Sequence, residues 1–268
     1  MKIIKDILAV AEKELLLEMR FKIPFIAGSF VEPFVKIAPF VLIYFGFFIS
    51  GAKSIGDVTE ENFIIFLILG MLSDVFFTHS YDSLYPKFMR EKFWNTIEAT
   101  LVAPLSKFSL LMGNAVSILV LLVPNLLIFF GIAYIFAPAP FQAILIAIIM
   151  LLCILSISIG IGLIHGTSAL FNENYSPIFS YAKIGLVFIS CFYYPITVFD
   201  QSPALALIKP IVLMNPIYHA NNAIRAAWLF GEIRTFSILY AIGFALMTPI
   251  IAVFIFNKLW KKLNIQGY

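Results

Sequence analysis

Between residues 109 and 169 two long apolar runs follow one another, separated only by the uncharged turn "APAPFQ". Each run exceeds the roughly 20 residues that carry a helix across a bilayer core about 30 Å thick. Charged residues are 12% of the chain, against about 25% in soluble proteins. Together these features predict a polytopic membrane protein. Six runs qualify as spans, at about 25–50, 62–82, 109–136, 141–169, 178–199 and 236–257. They are continuously apolar and do not alternate with period two, so helices are expected rather than a barrel. The predicted fold class is an all-α membrane protein with six transmembrane helices.

Lys and Arg side chains set the expected orientation. They gather before the first span (Lys2, Lys5, Lys13, Arg20, Lys22), between the second and third (Lys87, Arg90, Lys92, Lys107) and after the sixth (Lys258, Lys261, Lys262). The positive-inside bias places these three segments, and both termini, in the cytoplasm of a cell-membrane protein. The loop before span 2 has Lys53 among Asp57, Glu60 and Glu61. The loop after span 5 holds Lys209, Arg225 and Arg234, and its outside placement follows only from the even number of spans.

The opening residues are charged throughout, so no cleavable signal is expected. Ile4, Ile7, Leu8, Ala11 and Leu15 recur at helical spacing and predict an amphipathic interface helix within 1–22. Residues 200–235 are too apolar for a solvated loop and too interrupted by Pro203, Pro210 and Pro216 for a span. Irregular backbone at membrane depth needs cover from protein or a cavity. A re-entrant pair of short helices is therefore expected, the second over Tyr218 to Phe230 and ended by Gly231.

Catalytic signatures are missing. The sequence has no G-x-x-x-x-G-K-[ST], no H-E-x-x-H and no G-x-S-x-G, so neither nucleotide binding, zinc hydrolysis nor an esterase elbow is expected of this chain. His79, His165 and His219 are far apart, and Cys153 and Cys191 lie in apolar runs as packed thiols. No metal and no catalytic residue is predicted.

Charges inside a bilayer cost roughly 2.5 to 3.5 kcal/mol each on insertion scales, so each one asks for a partner or a purpose. Glu32 and Lys36, in "EPFVK", stand one helical turn apart; they read as an interfacial ion pair or as a lining of a transport path. Asp74 lies deeper in span 2. It would face an internal cavity or a cation such as Lys36, or make a hydrogen bond between helices. In span 4, Ser156 with Gly160 and Gly162 with Gly166 have small-x-x-x-small spacing, which admits a closely packed helix. Tyr193 and Tyr194, with Phe192, could stack on a ring-bearing substrate or anchor span 5 at the interface.

Residues 86–107 contain the stretch "EKFWNTIEATLVAPLSK". Phe93 or Trp94, Ile97 and Leu101 share one helical face, with Arg90, Lys92, Asn95 and Thr96 on the others. An amphipathic helix stopped at Pro104 is expected. It would shield the bundle or dock an apolar face into a groove on a soluble partner.

"REKFWNTIEATLVAPLS" resembles the ABC-2 type permease family, with Thr96, Glu98, Pro104 and Ser106 in the matching places. "VEPFVKIAPFVLIYFGFFI" is similar to the family's first span, with Pro33 and Gly46. "FYYPITVFDQSPALALIKPIVLMNPIYHANNAIRAAWLFG" is similar to its C-terminal signature at Pro195, Pro203, Asn215, Pro216, Arg225 and Gly231. The resemblance covers nearly the whole chain. It implies one membrane half of an ATP-binding cassette exporter, paired with a second permease subunit as a homodimer. Each half docks a separate P-loop ATPase subunit, which binds ATP and Mg; this chain binds no cofactor and no nucleic acid. The coupling residues would be Arg90, Glu91, Trp94, Thr96, Ile97, Glu98, Leu101 and Pro104, with Glu173 in "FNENYSP" as a second contact. The path or gate would involve Glu32, Lys36, Asp74, Tyr193, Tyr194, Asn215, Pro216 and Arg225. The cargo would be hydrophobic or amphipathic: a drug, a lipid or a glycan-lipid. A non-transporting scaffold would use the same spans without a coupling helix. A secondary carrier or channel is the third reading, and it has little to work with, since this chain shows neither a series of acidic residues through its spans nor an evident internal repeat.

Overall fold

A computed structural model describes residues 2–51, 53–94 and 106–266. The chain is mostly helical. Among the described residues, four helices are long and apolar enough to cross a membrane: Phe63–Arg90, Phe108–Phe136, Phe141–Phe171 and Thr235–Leu259. Their length and composition make this a membrane protein.

Helix α1 (Lys2–Met19) leads into α2 (Lys22–Ile26), which passes through a π-helical turn at Ala27–Val31 into α3 (Glu32–Ile49). The first expected span is thus one continuous helical run, Lys22 to Ile49, with a π-helical turn inside it. Its apolar helical part, Phe34–Ile49, is shorter than a full crossing. A small hairpin follows, β1 (Ser54–Ile55) paired antiparallel with β2 (Val58–Thr59), in the register Ser54 to Thr59 and Ile55 to Val58. Two-residue strands carry almost no periodicity, and the loop's charges gave no hint of them.

Helix α4 (Phe63–Asp82) is the centre of the bundle. Nearly all of it is buried, including Leu67, Leu69, Met71 and Phe77. Burial on every side explains why its sequence is apolar all round. After Ser83 the chain continues as α5 (Leu84–Phe93), which ends with Trp94 as its C-cap, so of the helix expected from Glu91 to Pro104 only Glu91 to Phe93 are seen as helix. Segment 95–105 lies outside the described residues. Helix α6 (Lys107–Phe136) opens with Ser106 as its cap, the Ser106 hydroxyl accepting from Ser109 N at 2.9 Å. That contact satisfies one of the amide donors left free at a helix start.

Helix α7 (Phe141–Phe171) is the other long core element. Its glycines behave as their spacing predicts. A side chain at Gly160 would collide with Thr248 and Pro249, and one at Gly162 with the Tyr81 carbonyl. Two helices therefore approach α7 closely, one on each side. Ser156 adds a hydrogen bond to the Ala245 carbonyl at 2.7 Å.

Helix α8 (Ser176–Ile189) differs from the fifth span expected over 178–199. Fourteen residues rise only about 21 Å, and the chain leaves the helix at Ser190. The cause is tertiary: Cys191 takes φ +53°, and its carbonyl is held by a distant arginine. Beyond a 3₁₀ turn at Ile196–Asp200 come the short helices α9 (Pro203–Ala206) and α10 (Lys209–Leu213), then α11 (Pro216–Phe230). Asn215 caps α11, its side-chain oxygen accepting from Ile217 N at 3.0 Å, and Gly231 closes it with φ +66°. The expected second short helix is present, starting two residues earlier; the first is split in two at Leu207 and Ile208. Helix α12 (Thr235–Gln266) completes the fold.

Candidate functional site

At one end of the bundle, α1, α5 and α6 meet around a buried carboxylate. Glu14 on α1 is only 3% exposed. Its Oε2 lies 3.1 Å from Arg90 Nη2 and 3.5 Å from Lys87 Nζ, both on α5. Lys87 is buried too, and it donates to Asn114 Oδ1 at 3.0 Å and Ser117 Oγ at 3.5 Å on α6. With Lys13 Nζ 3.6 Å from Glu14 Oε1, three cations surround one anion, and amide and hydroxyl acceptors take the spare Lys87 donors, which meets the condition under which buried charge is tolerated. The node fixes three helices to one another.

From this node the C-terminal end of α5 projects outward. Arg90 also lies over the Trp94 ring, at 5.6 Å from its centroid. Phe93 and Trp94 are 70% and 62% exposed. Lys92 reaches across to Glu173, in the turn after α7, at 2.8 Å. The α1 end thus presents an exposed aromatic pair on a framework tied to α1, α6 and the turn after α7.

Towards the opposite end, a second network links α3, α4 and the break after α8. Asp74 is buried on α4 and accepts from Tyr193 Oη at 2.7 Å and Thr78 Oγ1 at 3.1 Å. The Tyr193 ring stacks on Phe40 of α3 at 4.3 Å, and Tyr44 of α3 donates to the Tyr193 carbonyl at 3.3 Å. Hydroxyl donors thus take the place of the lysine considered as Asp74's partner. Lys36 pairs instead with Glu32 at 2.8 Å on the exposed side of α3, as an i,i+4 pair does.

Next to this network stands Arg225 of α11, 6% exposed. Its Nη1 donates to the Cys191 carbonyl at 2.7 Å, its Nη2 to the Phe192 carbonyl, and Nε and Nη2 to the Phe66 carbonyl at 3.2 and 3.1 Å. The guanidinium also covers the Phe66 ring at 3.5 Å. Asn221 Nδ2 donates to the Cys191 carbonyl at 3.3 Å, and Asn215 Nδ2 to Ser190 Oγ at 2.9 Å. Helix ends leave their last carbonyls unpaired and carry partial negative charge. Arg225 adds its positive charge near the end of α8 and pairs the carbonyls of Cys191 and Phe192 in the break that follows it. Gly70 makes room for it, because a side chain there would collide with Arg225 and the Phe192 carbonyl.

The site residues proposed from sequence therefore fall into separate places. Arg90, Trp94 and Glu173 are at the α1 end. Glu91 belongs to α5, and its side chain lies outside the described part, as do Thr96, Ile97, Glu98, Leu101 and Pro104 entirely. Asp74, Tyr193, Asn215, Pro216 and Arg225 lie in or beside the second network. Tyr194 donates to the Phe188 carbonyl and packs edge-on against Phe199, so it secures the end of α8. Glu32 and Lys36 stand apart on α3. Glu14, Lys87 and Asn114 were missed by sequence reasoning: Glu14 reads as an exposed member of "AEKELL", and only the fold brings its partners to it. No group of three His, Cys, Asp or Glu suited to a metal occurs among the described residues. No family model matches the chain, and no curated protein matches it.

Proposed function

We propose that this chain is the permease subunit of an ATP-driven exporter. ATP would be hydrolysed on a separate P-loop subunit, and a hydrophobic or amphipathic molecule would be moved out of the cytoplasm or the inner leaflet. The observation that carries this reading is the α1 end: an exposed Phe93–Trp94 pair held on a framework of buried and bridging ion pairs. A surface helix that merely shielded the bundle would turn its aromatic residues inward. An aromatic anchor on a rigid mount suits a groove on a soluble partner.

In this reading α3 and α8 complete six crossings, the α1 end faces the cytoplasm, and both termini lie there. Two copies would pair, with α3 and α8 at the shared surface. Motion imposed on α5 by the ATPase would pass through Glu14, Lys87 and Arg90 to α1 and α6. The same displacement at the top of α4 would reach Asp74 and Tyr193. The Arg225 cluster would form the outer closure.

The test is co-purification and reconstitution with the P-loop ATPase encoded beside this chain. ATP-dependent movement of lipid or drug probes in proteoliposomes is expected, and Trp94→Asp with Ile97→Asp should cut membrane-subunit stimulation of ATP hydrolysis about tenfold or more, the loss of an apolar hot spot. Unchanged stimulation in that variant, or transport that survives without any ATPase, would overturn the reading.

A further inference from the structure

A cavity of about 340 Å³ lies between α4, α7 and α8, towards the α1 end. Its buried side is formed by Tyr81 and His165, which are 1% and 3% exposed. Ile184 and Val187 of α8 supply apolar wall, and Ile184 is exposed at the rim. Asp82 and Lys183 also line it, paired at 2.5 Å with side chains partly open to the surface. An apolar hollow bordered by one anion and one cation is an amphiphile's outline, a tail compartment beneath a split-charge head compartment.

We propose that this cavity holds an acyl chain of a phospholipid with a primary-ammonium head, the ammonium on Asp82 and the phosphate on Lys183. Partner exchange leaves each protein charge with an opposite charge, so neither is stranded in the interface. The chemistry also selects the head. A primary ammonium has N–H donors for a carboxylate, whereas a quaternary ammonium has none. A head with a phosphate and no ammonium satisfies Lys183 but sets a like charge beside Asp82.

His165 closes the inner wall of the cavity. Its ring is stacked between Tyr85 at 4.5 Å and Phe179 at 5.1 Å, and Nε2 meets Ser176 Oγ at 3.3 Å. Nδ1 is buried with no hydrogen-bond partner. The inference rests on the chain's membrane character and is independent of the transport reading.

Native mass spectrometry of the purified, delipidated full chain tests it, with dioleoyl phosphatidylethanolamine, phosphatidylcholine and phosphatidylglycerol titrated separately. Phosphatidylethanolamine should bind about tenfold more tightly than the other two, the equivalent of one charge-assisted hydrogen bond. Lys183→Gln and Ile184→Trp should each reduce its binding to the phosphatidylcholine level, while Leu246→Trp, on the exposed face of α12, should not. Equal binding of the three lipids by the unaltered chain, a preference for phosphatidylglycerol, or undiminished phosphatidylethanolamine binding in both cavity variants would overturn the proposal. The wild-type comparison stands even if a variant fails to fold.

Discussion

Arg225 brings a cation into the bundle and meets backbone carbonyls, with no carboxylate among its hydrogen-bond partners. A guanidinium suits that task because its donors form a fixed planar fork, while an ammonium is a compact point charge. Arg225→Met would strip the donors from the Phe66, Cys191 and Phe192 carbonyls, each buried orphan costing about 1–3 kcal/mol. We expect a clear drop in melting temperature in detergent, read by thermal-shift fluorescence, with Arg225→Lys falling between the two. An unchanged melting temperature in Arg225→Met would show that the clamp is dispensable. The sequence marked Arg225 as an oddity, a charge in an apolar loop, and that much was legible. Its acceptors lie 33 and 34 residues back on one side and 159 on the other, a separation no local pattern can reveal. Asp74 shows the same limit: its depth was readable, and the choice of Tyr193 over Lys36 was not.

Among the elements, the node of α1, α5 and α6 is where one helix could govern another. Removing Glu14 alone leaves Lys87 buried beside Arg90 without its anion, a loss of about 3–5 kcal/mol. Removing both Glu14 and Lys87 leaves a neutral gap. Glu14→Ala should therefore destabilise the protein more than the double variant Glu14→Ala, Lys87→Met. A double-mutant cycle on thermal stability should give a coupling of roughly 1–3 kcal/mol; additive effects would mean that the node is not a unit. This node also explains why the face of α1 differs from its apolar stripe. Ile4 and Leu8 are 64% and 57% exposed, while Val10, Ala11 and Glu14 face inward. Periodicity counts apolar side chains, but here an ion pair chose the rotation. Long elements such as α6, α7 and α12 were legible because apolar runs of that length have no other solution. The end of α8 was not, since "CFYYP" continues the apolar run and the break is imposed by α11.

Over the whole molecule, burial is uneven. Helix α4 is almost entirely enclosed, whereas α8 has no buried residue at all and leaves Ile178, Tyr181, Ile184 and Phe188 exposed. Helix α3 is bare on one side, with Val35, Leu42, Ile43 and Ile49 exposed, while Ile37, Tyr44 and Phe48 are buried. In a bilayer such faces can rest against lipid, but α8 rises only about 21 Å against a core of about 30 Å. A short helix is accommodated by thinning the bilayer or by oligomerising. The homodimer proposed above would cover it. An unsheathed, undersized helix is also a label that membrane quality-control proteases can read. A copy that has not met its mate would then be short-lived, and the amount of finished protein would rise more steeply than the rate of synthesis. Pulse-chase labelling at low expression, where single copies predominate, should show slower decay once Ile184 and Phe188 are replaced by Ser; equal lifetimes would show that α8 is no such label.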